Sequence, residues 1–256
     1  MKITVLGCGG SPGVPSVSHG WGACDPTNPR NRRRRVSLLV EEAGRAILID
    51  TSPDLREQLL DTGIRRLDGV IWTHAHADHL HGIDELRGIN RAMHAPLPVW
   101  ADAESLEIIH QRFGYVFEPL DASLGNYYKP VLIPHCIDGP FEVAGVPVTP
   151  FRQDHGFSTT LGLRFGQFAY STDVVHLDAA AFAALAGIEV WVVDCFRHAP
   201  GHLTHSWLAQ TLDWIAQVGP KHAVLTHMGE DMDYGTLASA LPAGIEPAYD
   251  GMVLTL

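Results

Sequence analysis

Within six residues, His74-Ala75-His76-Ala77-Asp78-His79 brings together three imidazoles and a carboxylate, with small alanines leaving room for them to converge. His74 and His76 are two apart, so an extended backbone points both to one side. Asp78 and His79 follow in a turn expected to open a helix, where they can face a second centre. Such nitrogen and oxygen donors suit a divalent zinc, manganese or iron ion. Buried together without a cation, they would be costly. The apolar run Gly69-Val-Ile-Trp-Thr leads straight into the motif, which separates it from a solvated His-rich tract.

A two-metal site needs further ligands, and the sequence offers three. His155 in Arg-Gln-Asp-His-Gly, Asp173 in Tyr-Ser-Thr-Asp and His227 in Leu-Thr-His-Met each follow apolar, strand-like residues. An aspartate is the natural bridge between cations roughly 3.5–4 Å apart. Asp50, after Ala46–Ile49, is expected to orient a ligand histidine from behind, with Asp194 a weaker candidate for that task.

The elements that must position these groups follow from hydrophobic patterning. Residues 2–6 read as a strand, and 7–31 as a segment rich in Gly, Pro and Ser. Residues 36–40 and 46–49 predict an antiparallel hairpin, and a helix is expected after Asp50, capped by Ser52 with Pro53 at its first position. Val70–Thr73 reads as a buried strand and 103–113 as a helix. Strands over 141–151 are expected to be split by Gly145 and Pro147. Residues 161–165 and 168–171 predict another hairpin, 179–186 a helix, 190–194 a strand, 206–217 an amphipathic helix and 223–226 a strand. Strands thus repeatedly run into a polar residue at their C-terminal ends, which suggests layered sheets flanked by helices.

Length and composition narrow the class. The 256 residues contain 46% hydrophobic types and no apolar run approaching a membrane span. The apolar start turns at once into glycines, so it reads as a strand rather than a signal peptide, and a cytoplasmic protein is expected. Four scattered cysteines, Cys8, Cys24, Cys136 and Cys195, form no Cys-x-x-Cys pair, so reduced and mostly buried thiols are expected. A net charge of −11 disfavours a long polyanionic partner. The local exception is Arg32–Arg35. As a charge run it reads first as a solvated loop. Its sharper reading places Arg33, Arg34 and Arg35 on a substrate phosphate, which guanidinium forks fit bidentately.

These motifs resemble the metallo-β-lactamase superfamily, whose hallmark is His-x-His-x-Asp-His. The likeness runs from Gly7-Cys-Gly-Gly-Ser-Pro-Gly-Val-Pro to Tyr249-Asp-Gly-Met, and is greatest to the phosphoribosyl cyclic phosphodiesterases of phosphonate breakdown. Proteins of pyrroloquinoline quinone biosynthesis share the Gly-rich start and the Asp-Gly-Met ending. The resemblance implies an α/β fold, a four-layer αββα sandwich over residues 1–256, with metals at one edge of the sheets. It assigns His74, His76 and His155 to one ion and Asp78, His79 and His227 to the other, with Asp173 and a water or hydroxide between them. His205 matches the catalytic histidine of the phosphodiesterases, with His202 its nearest rival, and Asp78 is grouped with it as catalytic. Those enzymes also hold a structural zinc through a cysteine cluster after the Gly-rich start. Here that segment has only Cys24, which implies that Asp25–Arg35 replaces the zinc.

The expected activity is hydrolysis of a small sugar-phosphate or nucleotide phosphodiester, a cyclic phosphate among the candidates. Two divalent ions (zinc or manganese, with iron also acceptable) would turn a shared water into the nucleophile, and His205 would protonate the leaving oxygen. The alternatives are RNA 3′-end processing of the tRNase Z type, which the acidic charge opposes, and a cofactor-biosynthesis accessory protein that hydrolyses nothing. The expected partners are a small phosphate ester, no membrane and no nucleic acid, with a homodimer left open.

Overall fold

Period-two alternation in the first strands decides how the layers stack. Ile3, Val5, Leu38, Val40, Ile47 and Ile49 belong to one buried cluster, whereas Leu6, Leu39 and Leu48, from the opposite face, belong to another. Each strand therefore has two covered faces, one against a second sheet and one against helices. The computed structural model describes residues 1–120 and 126–256.

The first half of the chain supplies β1 (Lys2–Gly7), β2 (Ser37–Glu42), β3 (Arg45–Ile49), β4 (Gly69–Ile71), β5 (Leu97–Ala101) and β6 (Leu132–Cys136). Helices α1 (Leu55–Thr62), α2 (Ala77–Leu80), α3 (Leu86–Met93) and α4 (Ala103–Phe113) interleave with them. The second half supplies β7 (Phe141–Val143), β8 (Val146–Asp154), β9 (Thr159–Phe165), β10 (Phe168–Ser171), β11 (Val190–Asp194), β12 (His222–Thr226) and β13 (Ile245–Pro247). Its helices are α5 (Ala179–Leu185), α6 (Leu208–Val218) and α7 (Tyr234–Ala240). The last strand, β14 (Val253–Thr255), returns to pair with β1.

Two seven-stranded sheets result, ordered β14-β1-β2-β3-β4-β5-β6 and β13-β12-β11-β10-β9-β8-β7. Both change from antiparallel to parallel midway, at β3–β4 and at β10–β11. Parallel neighbours need crossovers, and the helices supply them on the outer faces. Leu55, Leu86, Ile89 and Ile109 of α1, α3 and α4 pack on the outside of the first sheet. Ala181, Leu185, Ile215 and Leu237 of α5, α6 and α7 pack with the second. This is the αββα sandwich. No helix among the described residues is long and apolar enough to cross a membrane.

Three local expectations need correction. Helix α1 starts at Leu55, because Ser52 Oγ accepts from the Asp54 amide and donates to Gln58, holding a turn before the helix. Helix α6 starts at Leu208 rather than Ser206, whose hydroxyl is taken by Asp194. Pro147 does not split a strand. The turn lies at Ala144-Gly145, both at positive φ, and β8 runs through Pro147 and Pro150. Pro147 sits where β8 pairs only with β7, and Pro150 where it pairs only with β9, so each missing N–H falls on an open side.

Candidate metal centre

The parallel halves of both sheets end toward a common edge, and the polar residues that close the strands meet there. β3 delivers Asp50, β4 leads into Thr73 and His74, and β8 into His155. β10 leads into Asp173, β11 ends on Asp194, and β12 delivers His227. Asp50, Asp173 and His227 are non-glycine residues at φ 63, 52 and 56°. Each such conformation costs about 1–3 kcal/mol and persists where surrounding structure enforces it, a pattern concentrated at functional sites.

Asp173 stands between two groups of donors. Its Oδ2 lies 3.7 Å from His74 Nε2 and 3.6 Å from His155 Nε2. Its Oδ1 lies 3.0 Å from His79 Nε2 and 3.3 Å from His227 Nε2. His155 Nε2 is 3.3 Å from His76 Nδ1, and Asp78 Oδ2 is 3.4 Å from His227 Nε2. The sets His74, His76, His155, Asp173 and Asp78, His79, Asp173, His227 each have ligand atoms within 4.8 Å of one another. All seven predicted ligands therefore converge. Only His76 is exposed, on the rim.

The surroundings fix which imidazole nitrogens look inward. His79 Nδ1 lies 2.7 Å from Asp50 Oδ2 and donates to it, so its Nε2 carries a lone pair toward the centre. Asp50 is fully buried and is held by the amide and hydroxyl of Thr73. His155 Nδ1 donates to the Thr204 carbonyl at 2.7 Å, which likewise turns Nε2 inward. Burial pushes His74 well down and lowers His155 and His76, favouring neutral, ligating imidazoles. Burial also acts on His79 and His227, but neighbouring carboxylates, led by Asp173, outweigh it. His79 is drawn well up, and His227 rises to about 9.

This donor set fits a pair of cations. His74 Nε2 and His79 Nε2 are buried without any hydrogen-bond partner, and both face Asp173. Positive charge must lie between each of these nitrogens and the carboxylate it confronts, supplied by a proton or by a bound cation. Asp50, Asp78, Asp173 and Asp194 are all at least nine-tenths buried, and histidines are their only ion-pair partners among the described residues. Buried carboxylates without Lys or Arg call for metal.

Beside the two ligand sets lies a third grouping. Asp194 Oδ1 is 3.5 Å from His205 Nδ1 and 3.4 Å from His227 Nδ1, and the two rings stack with centroids 4.7 Å apart. Asp194 Oδ2 accepts from the amide and hydroxyl of Ser206. His205 Nε2 is 3.9 Å from Asp173 Oδ2. His202 instead accepts the amides of Thr204 and His205 and so shapes the turn. Ser11, which sequence reasoning passed over, donates to Asp78 Oδ2 at 2.6 Å. Its only signal was its place in the Gly-rich start. Gly10 allows this approach, since a Cβ there would meet the Phe196 ring at 2.7 Å.

The arginine run is not brought to these ligands. Arg33 is 2% exposed, and its guanidinium donates to the carbonyls of Met232 at 2.6 Å and Gly229 at 3.2 Å. Arg34 pairs with Asp61 and Arg35 with Asp54. Arg33 is thus an internal strut joining Asp25–Arg35 to the segment after His227, and Arg34 is neutralised on the surface. Asn31 and Asp233 complete the strut, with Asn31 Nδ2 donating to Asp233 at 2.7 Å. Cys24 lies beside it, 3.8 Å from Arg33 Nη1.

Comparison with known proteins agrees with the fold. Residues 45–228 match the beta-lactamase superfamily domain, and the chain belongs to that superfamily. Within it, the chain belongs to the PhnP branch: a solved diphosphatase from the PhnP family is 33% identical, with a TM-score of 0.90 over 100% of this chain and 97% of that one. A Porphyromonas gingivalis protein named octanoyltransferase is 35% identical over 98% of this chain. The chain spans 51% of that relative's length. Zn(2+)-bound PqqB from Methylobacterium extorquens, 19% identical and covered 100% by 100%, shares the fold at a TM-score of 0.75.

Proposed function

We propose that the protein is a dinuclear metal-dependent hydrolase of small phosphate esters, a phosphodiesterase acting on a sugar-phosphate or nucleotide substrate. The observation that carries this reading is Asp173, whose two oxygens each face a separate set of imidazoles. His74, His76 and His155 would hold one ion, Asp78, His79 and His227 the other, with Asp173 shared. When bound, such ions acidify water and draw charge from phosphoryl oxygens.

The protein's own groups do the rest. Asp50 keeps the His79 lone pair inward, and the Thr204 carbonyl does so for His155. Ser11 occupies one lone pair of Asp78 and so fixes which way that carboxylate turns. Asp194 Oδ1 lies 3.5 Å from His205 Nδ1 and attracts that edge of the ring, leaving Nε2 to hold a proton beside the site and deliver it to the leaving oxygen. The relative described as a diphosphatase supports attack at phosphorus.

Metal analysis with a substrate screen tests the proposal. Purified protein should carry about two divalent ions per chain and hydrolyse bis(p-nitrophenyl) phosphate, 2′,3′-cyclic nucleotides or nucleoside diphosphates. His205→Ala should retain the metal and lose turnover. Efficient cleavage of precursor tRNA in preference to all small esters would overturn the assignment, as would metal-loaded protein inert toward every phosphate ester.

A further inference from the structure

Arg32–Arg35 line a second concavity. A cleft of about 390 Å³ is bounded by Arg32, Arg33, Arg34 and Arg35, by Asp54 and Asp250, and by the Pro12–Pro15 stretch of the Gly-rich segment. In a chain of net charge −11, four arginines line this cleft beside two aspartates. Asp54 is engaged by the backbone amide and Nε of Arg35, which leaves both terminal nitrogens of Arg35 available. Asp250 faces the amides of Cys8 and Arg34 rather than a guanidinium. Arg32 is exposed and makes no side-chain hydrogen bond or ion pair among the described residues. Arg33 Nε is buried without a partner. Two members are bound outside the cleft, Arg33 through its terminal nitrogens to Gly229 and Met232 and Arg34 to Asp61.

Planar guanidinium donors left over in a polar cleft match the oxygens of a phosphate group. We propose that this cleft binds a phosphate-bearing anion at a site separate from the metal centre, with Arg32 and Arg35 as its donors. The two sites are neighbours across one strand. Gly9 bridges Arg35 on one side and Met228 on the other, so these backbones lie about 10 Å apart at ordinary strand spacing. Ser11, which holds Asp78, is two residues from Gly13 of the cleft wall, within about 8 Å along the chain. An anion clamped between the arginines and Pro12–Pro15 would therefore restrain the segment that carries Ser11. The site stands independently of the reaction proposed above.

Titration calorimetry of inorganic phosphate into the metal-loaded protein tests it. Two binding events are expected in the wild type, and Arg32→Glu should weaken one of them at least tenfold with metal content unchanged. Arg32 has no described partner to lose, so the variant folds, and Arg32→Lys should recover most of the affinity. Phosphate affinity and stoichiometry unchanged in Arg32→Glu would overturn the site. Turnover of bis(p-nitrophenyl) phosphate then identifies the ligand's source. Competition by the Arg32-dependent phosphate assigns the cleft to a phosphate carried on the substrate, and a non-competitive effect assigns it to free phosphate; both outcomes require the site.

Discussion

Two buried polar clusters lie on either side of the Gly-rich segment, and they differ in how fully their atoms are satisfied. Around Arg33, the terminal guanidinium nitrogens, Asn31 and Asp233 find carbonyl, amide or carboxylate partners within the chain. Around Asp173, imidazole nitrogens and carboxylate oxygens face one another, and His74 Nε2, His79 Nε2, His205 Nδ1 and Asp194 Oδ1 have no hydrogen bond. Burying polar groups is tolerable when they are paired and costly when they are not. The first cluster pairs all of these groups except Arg33 Nε and acts as a joint. The second leaves donors confronting one another, an arrangement that a bound cation would complete.

Breaking the shared carboxylate should have the largest effect. Removing an outer hydrogen-bond partner of a metal ligand already lowers activity or affinity by about 10–100-fold, so losing the carboxylate common to both donor sets should exceed about 100-fold. Asp173→Ala is expected to lose that much phosphodiester turnover and at least one ion per chain by metal analysis. Full metal content with near-normal turnover would remove Asp173 from the bridging position.

The complementary experiment attacks the self-sufficient cluster. Arg33→Met leaves the Met232 carbonyl without a donor and the Gly229 carbonyl with only the Met232 amide, and should lower stability by about 3 kcal/mol in urea unfolding. Metal content at saturating metal should be preserved, since Arg33 touches none of the ligands. A loss below about 1 kcal/mol would show that water replaces the guanidinium, and that Arg33 is a weaker joint than its burial indicates.

The comparison also explains what could be read from the sequence. His74, His155, Asp173 and His227 were legible because each follows a strand, and strand ends are where a layered fold exposes its chemistry. Asp173 and His227 lie 54 residues apart, yet β10, β11 and β12 are parallel neighbours, so topology alone aligns their ends. The strut was not legible. Four consecutive arginines look alike in sequence, and Arg33 turns inward because its backbone pairs with Val14, a contact set by tertiary structure. Strands β5 and β6 escaped because Pro98 and Pro134 interrupt their pattern, although β6 is an edge where a proline is tolerated. Ser11 escaped because a serine in a glycine-rich turn carries no signal until the metal ligand above it is known.

Asp50 sharpens the boundary between the clusters, being a fully paired carboxylate that serves the unsatisfied one. Asp50→Asn keeps the shape but can no longer hold the His79 imidazole as firmly. Metal affinity should fall by about 10–100-fold in competition with a chelator, with fold and stoichiometry at saturating metal retained. Unaltered affinity would mean that His79 is oriented by packing alone.

The smallest effect should come from Asp233, at the edge of the strut. Its Oδ1 caps α7 through the Thr236 amide, and its Oδ2 accepts from the Asp25 amide and Asn31. Its partial burial raises the carboxyl, but these donors, led by Thr236, outweigh it and hold the group well below the usual carboxylate range. A carboxylate whose folded value is depressed contributes stability above its unfolded value of about 3.9, and that contribution is lost as pH falls through the lower folded value. Asp233→Ala should therefore cost about 1 kcal/mol at pH 7, as for other N-caps. The gap from wild type should narrow steadily as urea unfolding is repeated below pH 4. A gap independent of pH would show that Asp233 acts through neutral hydrogen bonding and packing rather than through its charge.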